Sequence, residues 1–557
     1  MALSVSPALR RQVRLGLVAL SLGNLMFLRR WYDLEHVQSK ALDYYRAGPA
    51  SGVLLASTCL ASLIAAAAFR LAWMWVESSP HRLRSLVGHC SFLTVLIFPP
   101  ELMRRYWNST GDGFDWFTNI SILALEILLL RGIVQRLLGS PKSVMAAKAS
   151  VISVSLLLPA LALDFGNSYL GQEPAGAYQP KTPLPMLPVR AGAPRVLWLL
   201  FDEFDPRPAF ERRPASLDLP ELDRLRAESL VATSALPTDT FTIVAAPSLL
   251  SGRLLSRTEM KDAATVLLTP QRSAHATDWR SVPTVFHKVR ELGINTELVG
   301  WYHPYCRVLG DEVVRCLSLS TGDATPALAL QTHAYRQGVV RSAGFLFRLL
   351  AQSIRGIFAG DSTAGWLAMQ DQIVQQRQQQ EYFEIRDRAL AAARDARIGM
   401  AFVHYPAPHM LPIYNRRARS FDLNGTLDYA DNLALVDRTV GELRQALEQA
   451  GLWDSTTLLI SSDHGLRPEL WRNRLGWTPE LERLTEGRPS SAVPFVLKLA
   501  GEHKGTVLST PFSTVLTSGL VLAVLRQEVG NGEQAAEWLL RNRDQEPARQ
   551  VGASTGN

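Results

Sequence analysis

The tetrapeptide Ser462-Asp463-His464-Gly465 closes the apolar run Thr457-Leu458-Leu459-Ile460, and this junction constrains the fold more than any other part of the chain. A buried strand that ends in an adjacent carboxylate and imidazole delivers two metal-ligand side chains to the C-terminal edge of a sheet, where open α/β folds place their chemistry. Residues 195–201 are a second short apolar run, preceded by a proline-rich stretch and followed by Asp202, Glu203 and Asp205. They read as a fully buried strand of a parallel sheet. Residues 236–253 begin with Thr238, Thr240 and Thr242 and continue apolar, as a loop entering a helix does. A hydroxyl there lies near the positive end of the helix dipole, which favours an alkoxide or a bound anion, and any of the three threonines could serve as cap or nucleophile. Residues 402–409 form a further strand that runs into a proline-rich loop carrying His404 and His409.

The order of these segments resembles the alkaline phosphatase superfamily in its sulfatase-like branch: Asp202, a threonine followed by Pro247-Ser248-Leu249-Leu250-Ser251-Gly252, the His404 to His409 loop, then Asp463-His464. The resemblance covers about residues 195–505. In sulfatases the nucleophile lies ten residues before the glycine that closes this signature, which here is Thr242. Arylsulfatases carry a cysteine or serine at that place, converted to formylglycine, so this chain cannot make that cofactor by that route. A threonine is similar instead to the phosphoryl-transfer members: nucleotide phosphodiesterases, lipoteichoic acid synthases and phosphoethanolamine transferases. The fold implied is α/β, with a mixed, mostly parallel sheet between helices.

The chemistry of these residue types agrees with that expectation. A threonine hydroxyl is a weak nucleophile at neutral pH, and a divalent cation on its oxygen lowers its pKa while shielding the anionic ester. Asp202, Thr242, Asp463 and His464 make up the expected ligand set. Mixed oxygen and nitrogen donors suit zinc or manganese, with calcium or magnesium as lesser alternatives. One metal is expected, because the late histidine that two-metal relatives would carry is missing from residues 490–495. His409 is then a phosphate or leaving-group partner and Arg467 an anion clamp. Glu203 and Asp205 are read either as supporting ligands or as a solvated acidic loop, and His404 as a satisfied strand-end histidine or else an additional site residue.

The first 165 residues hold most of the long apolar segments, with candidate spans at 15–28, 49–69, 85–103, 116–130 and 149–163. The first and the last two are shorter than the roughly 20 residues that cross a bilayer and need tryptophan and arginine flanks such as Arg29, Arg30, Trp31 and Arg131. Five stretches exclude a single cleavable signal peptide. Arg10, Arg11, Arg14, Arg82, Arg84, Arg136 and Lys142 mark the cytoplasmic side, so an odd number of spans exports the rest of the chain. This layout also resembles the phosphoethanolamine transferases and lipoteichoic acid synthases. The expectation is a multi-pass protein of the cell (inner or plasma) membrane with an extracytoplasmic catalytic domain. Glu126, inside the fourth span, either faces a polar partner or sits at the interface.

In an oxidising compartment Cys306 and Cys316 would close a small loop as a disulfide, while Cys59 and Cys90 fall in spans. Residues 166–194 read as a proline- and glycine-rich linker, 195–540 as the catalytic domain with a helical insertion over about 325–397, and 541–557 as a disordered tail. The basic, apolar stretch 336–358 suits an anionic lipid surface or packing on the core. Residues 427–450 have helical spacing and a Gly451 stop. With 58 basic against 51 acidic residues the net charge is +7, which suits anionic lipids, and no nucleic-acid motif accompanies it. The function expected is transfer of a phosphate-ester group from a lipid donor to a glycan or glycolipid acceptor. Hydrolysis of a phosphodiester or sulfate ester, and glycolipid binding without turnover, are the alternatives. Oligomeric state is not readable.

Overall fold

The structure, a computed structural model, describes residues 6–27, 51–77, 179–189, 192–319, 363–409, 411–423, 427–472 and 476–543, together with Gly344, Phe347 and Arg474. These residues belong to two compact units, one containing the N-terminal helices and the other containing the sheet.

The N-terminal unit contains α1 (Pro7–Met26) and α2 (Ser51–Glu77), packed against each other. They touch through their backbones: a Cβ on Gly23 would lie 2.3 Å from the Ser62 carbonyl oxygen. Only the stretch Ala56–Trp75 in α2 is long and apolar enough to cross a membrane among the described residues. α1 carries Arg10, Arg11 and Arg14 in its first half and does not qualify. The five-span layout expected from the sequence is therefore not supported by the described helices, of which α2 alone is long and apolar enough to cross a membrane. The expected spans at 85–103, 116–130 and 149–163, and Glu126 with them, lie outside the described residues, as do most of 336–358 and residues 544–557.

The second unit is built on a nine-stranded sheet. In chain order its strands are β1 (Arg195–Asp202), β2 (Leu230–Leu236), β3 (Thr296–Trp301), β4 (Arg315–Leu319), β5 (Met400–Pro408), β6 (Thr456–Ser462), β7 (Val493–Lys498), β8 (Thr506–Leu508) and β9 (Phe512–Ser513). Their spatial order is β8-β2-β7-β6-β1-β5-β3-β4, with β9 also on β2. Every pairing is parallel except those of β7. The sheet is thus mixed and mostly parallel, as expected. The sequence reading ended the strands at β7; β8 and β9 follow it, too short to give an apolar run.

Alternate residues of β1 enter two separate cores. Leu197, Leu199 and Phe201 pack on one face, and Val196, Trp198 and Leu200 on the other. Burial on both faces is what an unbroken apolar run in a central parallel strand requires, and each such Leu or Phe contributes about 1.5–3 kcal/mol. The first core is covered by a helix from Tyr429 to Gln449, whose Leu433, Val436, Val440, Leu443 and Leu447 are all buried. It starts with a reciprocal capping box between Asp428 and Asp431 and gives way to Gly451 at φ +67°. A second helix, Thr363–Arg394, falls within the expected insertion.

Candidate active site

Strand register brings the acids together. β1 lies between β6 and β5, with Phe201 opposite both Ser462 and Tyr405, so Asp202 and Asp463 leave adjacent parallel strands at the same edge. Ser462 joins the two exits. Its hydroxyl lies 2.7 Å from the carbonyl oxygens of Phe201 and His464 and accepts from the Phe204 N–H at 3.0 Å. Across from these strand ends, the helix Thr242–Ser251 opens after an extended Phe241 and closes at Gly252 with φ +66°. Thr242 occupies its first position and is 2 % exposed. Thr238 is tied to the Ala245 carbonyl at 3.4 Å and Thr240 is exposed, so Thr242 is the hydroxyl that reaches the acids.

Asp202, Asp463 and His464 are buried, and their ligand atoms all lie within 4.8 Å of one another. His464 Nδ1 faces the Gly465 carbonyl at 2.9 Å and so carries the ring proton, leaving the Nε2 lone pair directed into the cluster. Nε2 is 3.3 Å from Asp463 Oδ2 and 3.8 Å from Asp202 Oδ1. Burial, reinforced by Arg467, holds the His464 pKa down at about 3, so the ring is neutral. Two carboxylates and an imidazole lone pair converging in a dry site repel one another unless a cation lies among them. The donor set therefore fits a divalent metal. The Thr242 hydroxyl stands at the cluster's edge, donating to Asp202 Oδ2 at 3.3 Å and lying 3.0 Å from His464 Nε2.

Glu203 and Asp205 follow Asp202 but do not join this cluster, and neither is solvated. Glu203 is a non-glycine residue at φ +57°, in the left-handed region, and its carbonyl accepts from the Tyr429 hydroxyl at 2.5 Å. Its fully buried carboxylate accepts from Arg467 Nε at 2.7 Å and Trp471 Nε1 at 3.0 Å. Asp205 forms a buried pair with Arg207 at 2.7 Å. The acids of this loop thus diverge, Asp202 into the cluster, Glu203 onto Arg467 and Asp205 onto Arg207, because the positive φ at Glu203 redirects the chain.

The residues expected to handle an anion lie beside the cluster. Arg467 is ion-paired to Glu203 and sits 5.4 Å from the ring of Phe241, which is 51 % exposed next to Thr242. His409 packs edge-on between Trp301 and Trp471, with Nε2 4.0 Å from Glu203 Oε2. Its loop is held by Asn432 and Gln378, which donate to its carbonyl at 3.0 and 3.3 Å. His404 does not fit the sequence reading of a satisfied strand-end histidine. It is fully buried, its Nδ1 lies 3.0 Å from the Tyr305 hydroxyl, and its Nε2 has no hydrogen-bond partner among the described residues.

Three side chains here escaped the sequence reading. His303 Nε2 lies 3.2 Å from the Thr242 carbonyl oxygen, and burial holds its pKa at about 3. Tyr305 contacts His404, and Trp471 contacts Glu203 and His409. The one available signal was the aromatic density of residues 301–305 just before Cys306. Cys306 and Cys316 are bonded, as expected, which ties the turn bearing His303 and Tyr305 to β4.

Residues 194–504 match the family model described as Sulfatase. An ulvan-active sulfatase of Formosa agariphila is 28% identical over 156 residues, 26% of this chain and 27% of that protein. The matched part thus spans about a quarter of that relative's length. Among solved structures, the PsFucS1 sulfatase of Pseudoalteromonas sp. has a TM-score of 0.39 and 18% identity, covering 62% of this chain and 72% of that one. A protein in the alkaline phosphatase superfamily from Vibrio parahaemolyticus has a TM-score of 0.35 and 10% identity, covering 63% and 71%.

Proposed function

The chain belongs to the sulfatase family, and from that premise we propose that it is a metal-dependent esterase or transferase that moves a phosphate-ester group through Thr242. The observation that carries this reading is the identity and setting of residue 242: a buried threonine at a helix start, with its hydroxyl on Asp202 and His464. Sulfatases bind a divalent metal, and Asp202, Asp463 and His464, with Thr242 at their edge, would hold it here. When bound it would neutralise anionic ester oxygens and acidify the threonine hydroxyl.

The chain's own groups divide the remaining work. Asp202 Oδ2 receives the hydroxyl hydrogen and orients the Thr242 oxygen toward the ester. The Thr242 oxygen bonds to phosphorus as the bond to the leaving oxygen breaks, and His409 stands as the proton source for that oxygen. Arg467, fixed by Glu203, contributes positive charge beside the transferred group. An acceptor hydroxyl, or water, then takes the group from the phosphothreonine. The helix start at Thr242 adds a favourable dipole for the anion.

The donor we favour is a lipid headgroup and the acceptor a glycan or glycolipid. Supporting this are the apolar stretch Ala56–Trp75, with Leu71 and Trp75 each 66 % exposed, and the net charge of +7. The Cys306–Cys316 disulfide fits a catalytic domain outside the cytoplasm. A sulfate ester is the second reading, favoured by the sulfatase found among the relatives. The test is turnover of 4-nitrophenyl phosphate, its phosphodiester and 4-nitrophenyl sulfate, each with and without an added alcohol. The proposal expects cleavage of a phosphate ester, stimulated by the alcohol, and loss of at least about 10³-fold in Thr242→Ala. Thr242→Ser should retain a measurable part. Cleavage of the sulfate ester alone would favour the second reading.

A further inference from the structure

We propose that Tyr305 and His404 are a positioning pair that sets the Asp202 carboxylate. His404 Nε2 lies 3.9 Å from Asp202 Oδ2, the same oxygen that accepts from Thr242 at 3.3 Å. At that distance the contact is electrostatic rather than a hydrogen bond. His404 itself is not among the three clustered ligand residues.

The proton positions follow from burial. Tyr305 is fully buried, and burial, with Asp463 and Asp202 nearby, raises its pKa well above the ordinary tyrosine value, so it keeps its hydroxyl hydrogen. His404 is fully buried too, with Nδ1 on the phenol and Nε2 toward the Asp202 carboxylate. The phenol donates to Nδ1 at 3.0 Å, so the ring hydrogen resides on Nε2, facing Asp202. Without the phenol, Nδ1 could carry the hydrogen and Nε2 would present a lone pair to the carboxylate. Tyr305 thereby selects the tautomer that attracts Asp202.

The surroundings hold this pair in one geometry. A Cβ on Gly300 would stand 2.7 and 2.8 Å from Tyr305 Cε2 and Cδ2 and 3.4 Å from His404 Cβ, so the phenol ring lies against a position that only glycine allows. The residue after Tyr305 is Cys306, bonded to Cys316, and its backbone N–H donates to Ser318 Oγ at 3.1 Å. Both anchors fix the phenol from outside the ligand cluster. Side chains that orient metal ligands in this way alter metal affinity without touching the metal.

This inference rests on reading Asp202, Asp463 and His464 as a metal site, so its test includes that reading. Mn²⁺ affinity of the full chain would be measured by calorimetry for wild type, Tyr305→Phe, His404→Gln, His404→Asn and Asp463→Ala, with melting of the metal-free proteins alongside. Tyr305→Phe and His404→Asn should weaken Mn²⁺ binding about 10- to 100-fold with unchanged metal-free melting. His404→Gln, whose amide can place an N–H near the Nε2 position, should stay within a few fold of wild type. If Tyr305→Phe fails to fold, the contrast between His404→Gln and His404→Asn decides. Wild-type affinity in both Tyr305→Phe and His404→Asn, with binding lost in Asp463→Ala, would overturn the positioning role. Wild-type affinity in Asp463→Ala would instead overturn the metal-site reading on which it rests.

Discussion

Glu203 follows the clustered Asp202 in sequence, yet it works as a counter-ion. Its carboxylate is fully buried on Arg467 and Trp471, and removing one partner of a buried ion pair leaves the other charge uncompensated. Glu203→Ala should therefore destabilise the catalytic unit by about 3–5 kcal/mol and weaken anion recognition through Arg467. Its Mn²⁺ affinity should stay near the wild-type value. Chemical denaturation with a metal titration on the same samples checks this, and loss of metal at full stability would make Glu203 a ligand instead. Asp202, Asp463 and His464 were legible because each ends an apolar run. The fate of Glu203 was not, because it depends on a left-handed backbone held by the distant Tyr429. His303 and Tyr305 stayed hidden for a similar reason: their partners, Thr242 and His404, come from other parts of the chain.

Elements were readable where one periodicity governed them. The helix Tyr429–Gln449 and strands β1 and β6 have apolar spacings that match their burial, whereas β8 and β9 are too short to leave a pattern. That helix also carries a titratable contact that its spacing does not reveal. Asp437 accepts from the Leu222 backbone N–H at 2.8 Å, at the start of the helix Pro220–Ala227, and burial raises its pKa from 3.8 to about 7. A carboxyl whose folded pKa is raised favours the folded state when protonated, and that contribution is lost as pH rises from about 4 to 7. Asp437→Asn keeps the acceptor oxygen and removes the charge. It should match wild type near pH 4 and exceed it by on the order of 2 kcal/mol at pH 8, as read from denaturation curves at both pH values. An Asp437→Asn gain independent of pH would rule out the charge as its cause.

At the scale of the whole molecule, the proposal couples a membrane-embedded helix to an exported catalytic unit. An alkaline phosphatase reporter fused after Leu187 should be active, and Cys306 and Cys316 should resist alkylation until reduced. A reporter active only in the cytoplasm, with both thiols free, would contradict that placement. Among the described residues only Ala56–Trp75 has the length and apolarity of a span, and α1, with three arginines in its first half, does not. The sheet order, by contrast, could not be read at all, since it depends on crossovers that no local pattern encodes.

The central claim is that Thr242 is the covalent nucleophile, and peptide mass spectrometry tests it most directly. Wild-type protein loaded with Mn²⁺, mixed with the phosphate ester it cleaves fastest and quenched in acid during turnover, should carry a phosphoryl-containing adduct on Thr242. Thr242→Ala should carry none. Turnover continuing at the wild-type rate in Thr242→Ala, or an adduct on another residue, would contradict the account.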